Sequence, residues 1–190
     1  INVIIAVVSG LLNKLELDSN KYSIFLSRDV DLKMAEFSRI ILVAFLSLVI
    51  SIILGLILIV ISLFLPTPSL TSLSRILLTV LLIWVTTLWQ IPFTLWLSRK
   101  TNLYFSMIIN TIAPLIIGTS FSLLDNWYIF PYDWSLKLLE PMTKMKINGI
   151  PFGTEYVPDY SMIYISLFLG VILFIILSEI SAISFKKQVK

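Results

Sequence analysis

The chain of 190 residues contains no cysteine and no histidine. Without cysteine there are no disulfides and no thiol catalysis, and without either residue the usual soft-metal ligand sets are missing. Charge is sparse too. Asp, Glu, Lys and Arg make up 13% of the chain, against about a quarter in a soluble domain. There is no GxxxxGKS/T phosphate loop, no GxSxG and no HExxH, and no pair of carboxylates falls within an apolar run. No catalytic constellation remains, so the chain is expected not to be an enzyme. Carriers coupled to protons or sodium place ionisable groups deep in their spans. Here the charged residue well inside an apolar run is Glu179, seven residues before Lys186, where it is expected to snorkel or to pair with the basic tail. The net charge of +3 is small, and no nucleic-acid partner is expected.

Apolar residues are abundant: 58% of the chain, with a mean hydropathy of +0.98. The pattern predicts an all-α polytopic membrane protein with a single transmembrane domain over residues 1–190. Residues 1–13 are apolar but shorter than the roughly 20 residues a span needs. Because the first residue is Ile1 and not Met, they are expected to be the end of a helix that starts earlier. Spans are expected over 40–65, 75–97, 103–124 and 161–185, the first closed by Pro66-Thr67-Pro68. Pro92 and Pro114 are expected to bend their helices, and Gly55, Gly118 and Gly170 to allow close packing. Gln90 and Asn110 are polar groups on neighbouring spans. Interhelical hydrogen bonding is their expected role, and lining a substrate path is the sharper alternative.

Orientation follows from the basic residues, which accumulate on the cytoplasmic side. The stretch 14–39 carries five, the Arg99-Lys100 turn two and the tail 186–190 three. These segments alternate with the uncharged Pro66 turn and with a net acidic loop, 125–160. The first three are therefore placed inside and the other two outside. With one further helix ahead of residue 1, the expected total is about six spans, the first missing from the chain and the second partial.

The stretch 14–39 is too charged for the hydrocarbon, since each Asp, Lys or Arg would cost roughly 2.5–3.5 kcal/mol at a bilayer centre. It nevertheless has helical spacing: Tyr22, Phe25 and Leu26 at i, i+3, i+4, then Val30, Met34 and Phe37 at i, i+4, i+7. Asp18, Ser19 or Asn20 could cap the first helix and Ser27 or Asp29 the second. Asp29 and Lys33 stand four apart with the acid first, the favoured order for a helical ion pair. Two short amphipathic helices at the membrane surface are expected, either lining the headgroups or offering a docking surface to an ATPase that would drive transport. In the outer loop, Trp127 and Tyr128 read as an interfacial aromatic belt. Asp133 is expected to cap a short re-entrant or interfacial helix bearing Trp134, Leu138 and Leu139 and ended by Pro141, before tight turns at Asn148-Gly149 and Pro151.

Two stretches carry a resemblance. LELDSNKYSIFLSRDVDLKMAEFSRI (Leu15–Ile40) resembles the intracellular coupling segment that type-2 ABC exporter permeases place between their second and third helices. FPYDWSLKLLEPMTKMKINGIPFG (Phe130–Gly153) is similar to the outer Pro-x-x-Trp, Pro, Asn-Gly segment of the lantibiotic-immunity permeases of the MutE/EpiE kind. The resemblance implies a six-helix subunit in the bacterial cytoplasmic membrane, paired with an identical or homologous permease. Two separate ATPase subunits would bind the ATP and Mg, so this chain itself would hold no cofactor and no metal. The implied activity is expulsion of a membrane-active peptide from the bilayer, as export or as immunity. Tyr22, Phe25, Leu26, Asp29 and Lys33 would then contact the ATPase. Trp127, Trp134, Leu138, Asn148, Gln90 and Asn110 are the candidates to face the peptide. The alternative is a non-transporting integral membrane sensor or assembly protein.

Overall fold

The computed structural model describes residues 2–18, 31–64, 72–121, 124–146, 148–153 and 155–189. Among them the helices are α1 (Asn2–Asp18), α2 (Leu32–Phe64), α3 (Leu73–Thr87), α4 (Gln90–Lys100), α5 (Leu103–Phe121), α6 (Trp134–Thr143) and α7 (Ser161–Val189), with a 3-10 turn at Trp127–Ile129. An isolated bridge joins Met145 to Pro151. The long apolar runs explain this composition, because backbone groups in lipid must be satisfied within the segment and helices do so. Helices α2 and α7 are long and apolar enough to cross a bilayer, and α3 with α4 counts as a third if the pair is one broken span. The chain is a helical membrane protein. Helix α5 is apolar over Leu103–Gly118, which is shorter than either long helix.

Three local details differ from the expectation. Helix α2 starts at Leu32 rather than at 40, so Met34 and Phe37 belong to the same unbroken helix as the apolar run. Asp31 caps it, its side chain accepting the Lys33 N–H at 2.9 Å and its carbonyl the Ala35 N–H at 2.9 Å. No Pro or Gly lies between Asp31 and Ile40 to stop it. The expected span 75–97 is interrupted at Leu88–Trp89. Pro92 has no N–H for the Leu88 carbonyl, which instead accepts from Ile91 at 3.0 Å. Finally, α6 does not end at Pro141 but runs to Thr143, where Lys144 takes a left-handed conformation with φ 56° and returns its N–H to Glu140 O. Pro141 removes only its own donor, and two residues suffice to finish the turn.

The chain clusters into two units. The first comprises Ile1–Ser47, Leu88–Ile112 and Ile172–Lys190. Its apolar core joins Ile5 of α1, Ile40 and Val43 of α2, and Ile91 and Leu95 of α4. A smaller cluster joins Leu32 and Ala35 to Phe185 of α7. At membrane depth lipid is as apolar as a neighbouring leucine, so such contacts gain packing but little hydrophobic free energy. Polar contacts are left to specify the arrangement. All the described basic residues of the segments read as cytoplasmic fall in this unit.

The second unit comprises Leu48–Thr87 and Ala113–Val171. Here α6 lies on α3: Leu138, Met142 and Ile163 form the core, with Leu82, Ile83 and Leu167 against it. Gly170 of α7 meets the backbone of α3, where an added Cβ would stand 3.1 Å from Thr86 Cα. Only glycine permits that approach. Beyond α6, Asn148 Oδ1 accepts the Ile150 N–H at 3.2 Å and Gly149 turns the chain with φ 81°.

Candidate functional site

Four helices of the first unit bring buried charges to one place. Helix α2 contributes Glu36 and Arg39, one turn apart on the same face. Glu36 is 0% exposed and Arg39 6%. Helix α4 contributes Arg99, whose side chain is 2% exposed. Helix α1 contributes Asn13 and Glu16, and α7 contributes Ser181 and Phe185. One carboxylate oxygen of Glu36 receives Arg39 Nη1 at 2.7 Å. The other receives Arg99 Nη1 at 2.6 Å and the Ser181 hydroxyl at 2.5 Å. Arg99 Nη2 also donates to Ser181 O at 3.1 Å and Oγ at 2.8 Å. Arg39 Nη2 reaches Glu16 Oε2 at 2.8 Å and donates to Asn13 Oδ1. Asn13 closes the ring by donating to Leu95 O at 3.0 Å and to Ser98 Oγ.

Two guanidinium groups thus face two carboxylates, and the cluster is neutral as a whole. Both guanidiniums lie on the Phe185 ring, with centroid distances of 5.0 and 5.2 Å, so the apolar side of each cation is covered as well. Burial raises the Glu16 carboxyl above its ordinary value, and the Glu36 charge adds to this, while Arg39 and Arg99 oppose it. Beside the cluster is a cavity of about 260 Å³ lined by Asn13, Lys14, Ser98, Arg99, Asn102 and Tyr104, among others. Among the described residues no group of three or more acidic, histidine or cysteine side chains is placed to hold a metal. The arrangement ties the ends of four helices together through buried paired charges, so that moving one helix means breaking those pairs.

The residues singled out from sequence are distributed differently. Tyr22, Phe25, Leu26 and Asp29 lie outside the described residues. Lys33 is half-buried in the first turn of α2. Asn110 is fully buried in the first unit and donates to Thr94 Oγ1 at 3.1 Å and Ser106 O at 2.9 Å. Gln90 is buried in the same unit, and its backbone carbonyl accepts from the Thr94 hydroxyl at 2.6 Å, while its side-chain oxygen Oε1 accepts no hydrogen bond. In the second unit Trp127 and Trp134 are buried, and Trp134 Nε1 donates to Tyr128 O at 2.9 Å. Leu138 belongs to the core, and Asn148 is exposed. Trp127, Trp134, Leu138 and Asn148 therefore fall in one unit and Gln90 and Asn110 in the other.

Asp133 departs from its expected role. Its side chain makes no cap hydrogen bond. It is buried, with neither oxygen hydrogen-bonded, and burial pushes its carboxyl up to about 6, against the opposing pull of Lys137. Lys137 itself pairs with Glu140 at 3.3 Å.

In the sequence Glu16, Glu36 and Arg39 belong to the charged stretch 14–39, and Arg99 to the Arg99-Lys100 turn. The available signal was the i, i+3 pair Glu36–Arg39 immediately before an apolar run, together with Asn13 and Ser181 as polar residues inside other apolar runs. Comparison of the chain with family models, with curated proteins and with solved structures finds no match.

Proposed function

We propose that the chain is the permease subunit of an ATP-driven ABC exporter that moves an amphipathic, membrane-active peptide out of a bacterial plasma membrane. The observation that carries this reading is α2. It runs without a break from Leu32 through Phe64, and its first two turns hold Glu36 and Arg39 in the charge cluster. A force applied to the stretch Leu15–Phe37 by a docked ATPase is delivered to a stiff rod. The ion pairs to α1 and α4 make the neighbouring helices follow it. Nucleotide and Mg belong to two partner ATPase subunits in this reading, and a second permease, identical or homologous, completes the complex. The six-helix count and the outward-facing 125–160 loop are part of the same proposal.

The test is purification in mild detergent with ATPase activity assayed on the eluate. A stoichiometric ATPase, lost on Phe25→Glu or Tyr22→Glu together with resistance to the peptide, is the expected outcome. An eluate without ATPase, and resistance unaffected by Phe25→Glu, would overturn the proposal. That result would favour a non-transporting sensor or assembly protein. One observation speaks for this second reading: Asn110, one of the two polar side chains expected to line a path, is turned to Thr94 and Ser106.

A further inference from the structure

At the C-terminal ends of α4 and α7, within the first unit, is a cavity of about 320 Å³ lined by Trp96, Lys100, Ile180, Ile183, Ser184 and Lys187. Trp96 and Lys100 stand one turn apart on α4. Ile180, Ile183, Ser184 and Lys187 follow one face of α7 at the i, i+3, i+4, i+7 spacing. Along both helices the order is the same, with the apolar side chain first and the lysine last. Both lysines are exposed, and neither has an ion pair among the described residues. The contrast with the adjacent Arg99 is sharp, since that cation is held by Glu36 and Ser181. Glu179, exposed on α7, is not among the lining residues. Helix C-termini favour cations, which accounts for lysines at these ends. It does not account for an indole and two isoleucines lining the same cavity.

A cavity with two ammonium groups and a hydroxyl at one end and apolar side chains at the other matches a molecule with an anionic head and an apolar tail. We propose that it binds the phosphate of an anionic phospholipid. Lys100 and Lys187 meet the phosphate, the Ser184 hydroxyl donates to it, and Trp96 and Ile180 lie against the first carbons of an acyl chain. Basic pockets between membrane helices on the cytoplasmic side recognise such headgroups, and anionic lipid concentrates in that leaflet. Inorganic phosphate shares the head chemistry but has no use for the apolar half. The site does not depend on the exporter reading.

The experiment places the purified protein in phosphatidylcholine vesicles containing either brominated phosphatidylglycerol or brominated phosphatidylcholine at equal mole fraction. Subtracting the emission of Trp96→Phe isolates the Trp96 signal. The expected result is preferential quenching by the anionic lipid. Lys100→Gln or Lys187→Gln should each weaken that preference about fivefold, while Arg at both positions preserves it. Both lysines are exposed, so thermal stability in pure phosphatidylcholine should not change in any of the lysine variants. Equal quenching by the two lipids, or a preference untouched by the Gln variants, would overturn the proposal. Loss of the preference on adding millimolar inorganic phosphate, at ionic strength held constant, would reassign the site to free phosphate and overturn it too.

Discussion

Glu36 and Asp133 are both fully buried carboxylates, but their surroundings could hardly differ more. Glu36, in the first unit, receives Arg39, Arg99 and Ser181 at 2.7, 2.6 and 2.5 Å. The Asp133 carboxylate, in the second, receives no hydrogen bond. The cation one turn along its helix, Lys137, is turned to Glu140 at 3.3 and 3.4 Å. Taking a charge out of water is repaid only where close opposite charges and hydrogen bonds replace the solvent. The first unit meets that condition and keeps its charges as fastenings. The second does not, and burial drives Asp133 towards its neutral form, with its carboxyl at about 6.

The largest way to break this contrast is Glu36→Gln. The variant keeps the shape of the side chain but removes the negative charge that neutralises Arg39 and Arg99, and its amide offers one acceptor oxygen where the carboxylate offers two. Uncompensated buried charge typically costs about 3–5 kcal/mol, so thermal unfolding in detergent should fall by about 10 °C or more. Replacing both Glu36 and Arg99 by Met should cost less than replacing Glu36 by Met alone, because no orphaned guanidinium remains on α4. If the double variant is the worse of the two, the cluster is not a set of mutually neutralising pairs.

A smaller effect is expected from Phe185→Leu. The ring is buried beneath both guanidiniums, and desolvated cation–π contacts are worth about 2 kcal/mol. Leucine preserves most of the packing against Leu32 and Ala35. The readout is the melting temperature of Phe185→Leu on its own and combined with Glu36→Met, Arg39→Met and Arg99→Met, which removes both guanidiniums from the ring. Once those charges are gone the penalty should shrink, and a penalty of unchanged size would mean that Phe185 acts by packing alone.

How much of this could be read in the sequence depends on which signal each feature leaves. The helical class and the two long spans follow from apolar runs that no alternative fold would bury. The break near Pro92 follows from a missing donor. The charge cluster left only a faint trace, because its members come from four helices and lie as far apart in sequence as Asn13 and Ser181. Each one alone looks like a surface charge or a lone polar residue, and only packing reveals that Glu36 has three partners. Asp133 misled for a similar reason. An aspartate before a short helix reads as a cap, but the neighbouring Trp134 and Tyr132 are buried and carry the aspartate in with them.

That misplacement of Asp133 yields the subtlest test, Asp133→Asn. The ordinary aspartate value is 3.8 and the folded value about 6. Below pH 4 the carboxyl is protonated in folded and unfolded chains alike, and it contributes no pH dependence. Between pH 4 and 6 the unfolded chain releases its proton while the folded protein retains it, so stability falls as pH rises. Above pH 6 both states are ionised, and the fold carries the full cost of a buried, unpaired charge. Asparagine mimics the protonated acid and carries no such cost at any pH. Asp133→Asn should therefore melt about 2–4 °C above the parent at pH 8 and converge with it towards pH 4. Converse behaviour, with the variant weakest at pH 8, would mean that the ionised carboxylate has a favourable partner there, and that the second unit holds its charge as the first unit does.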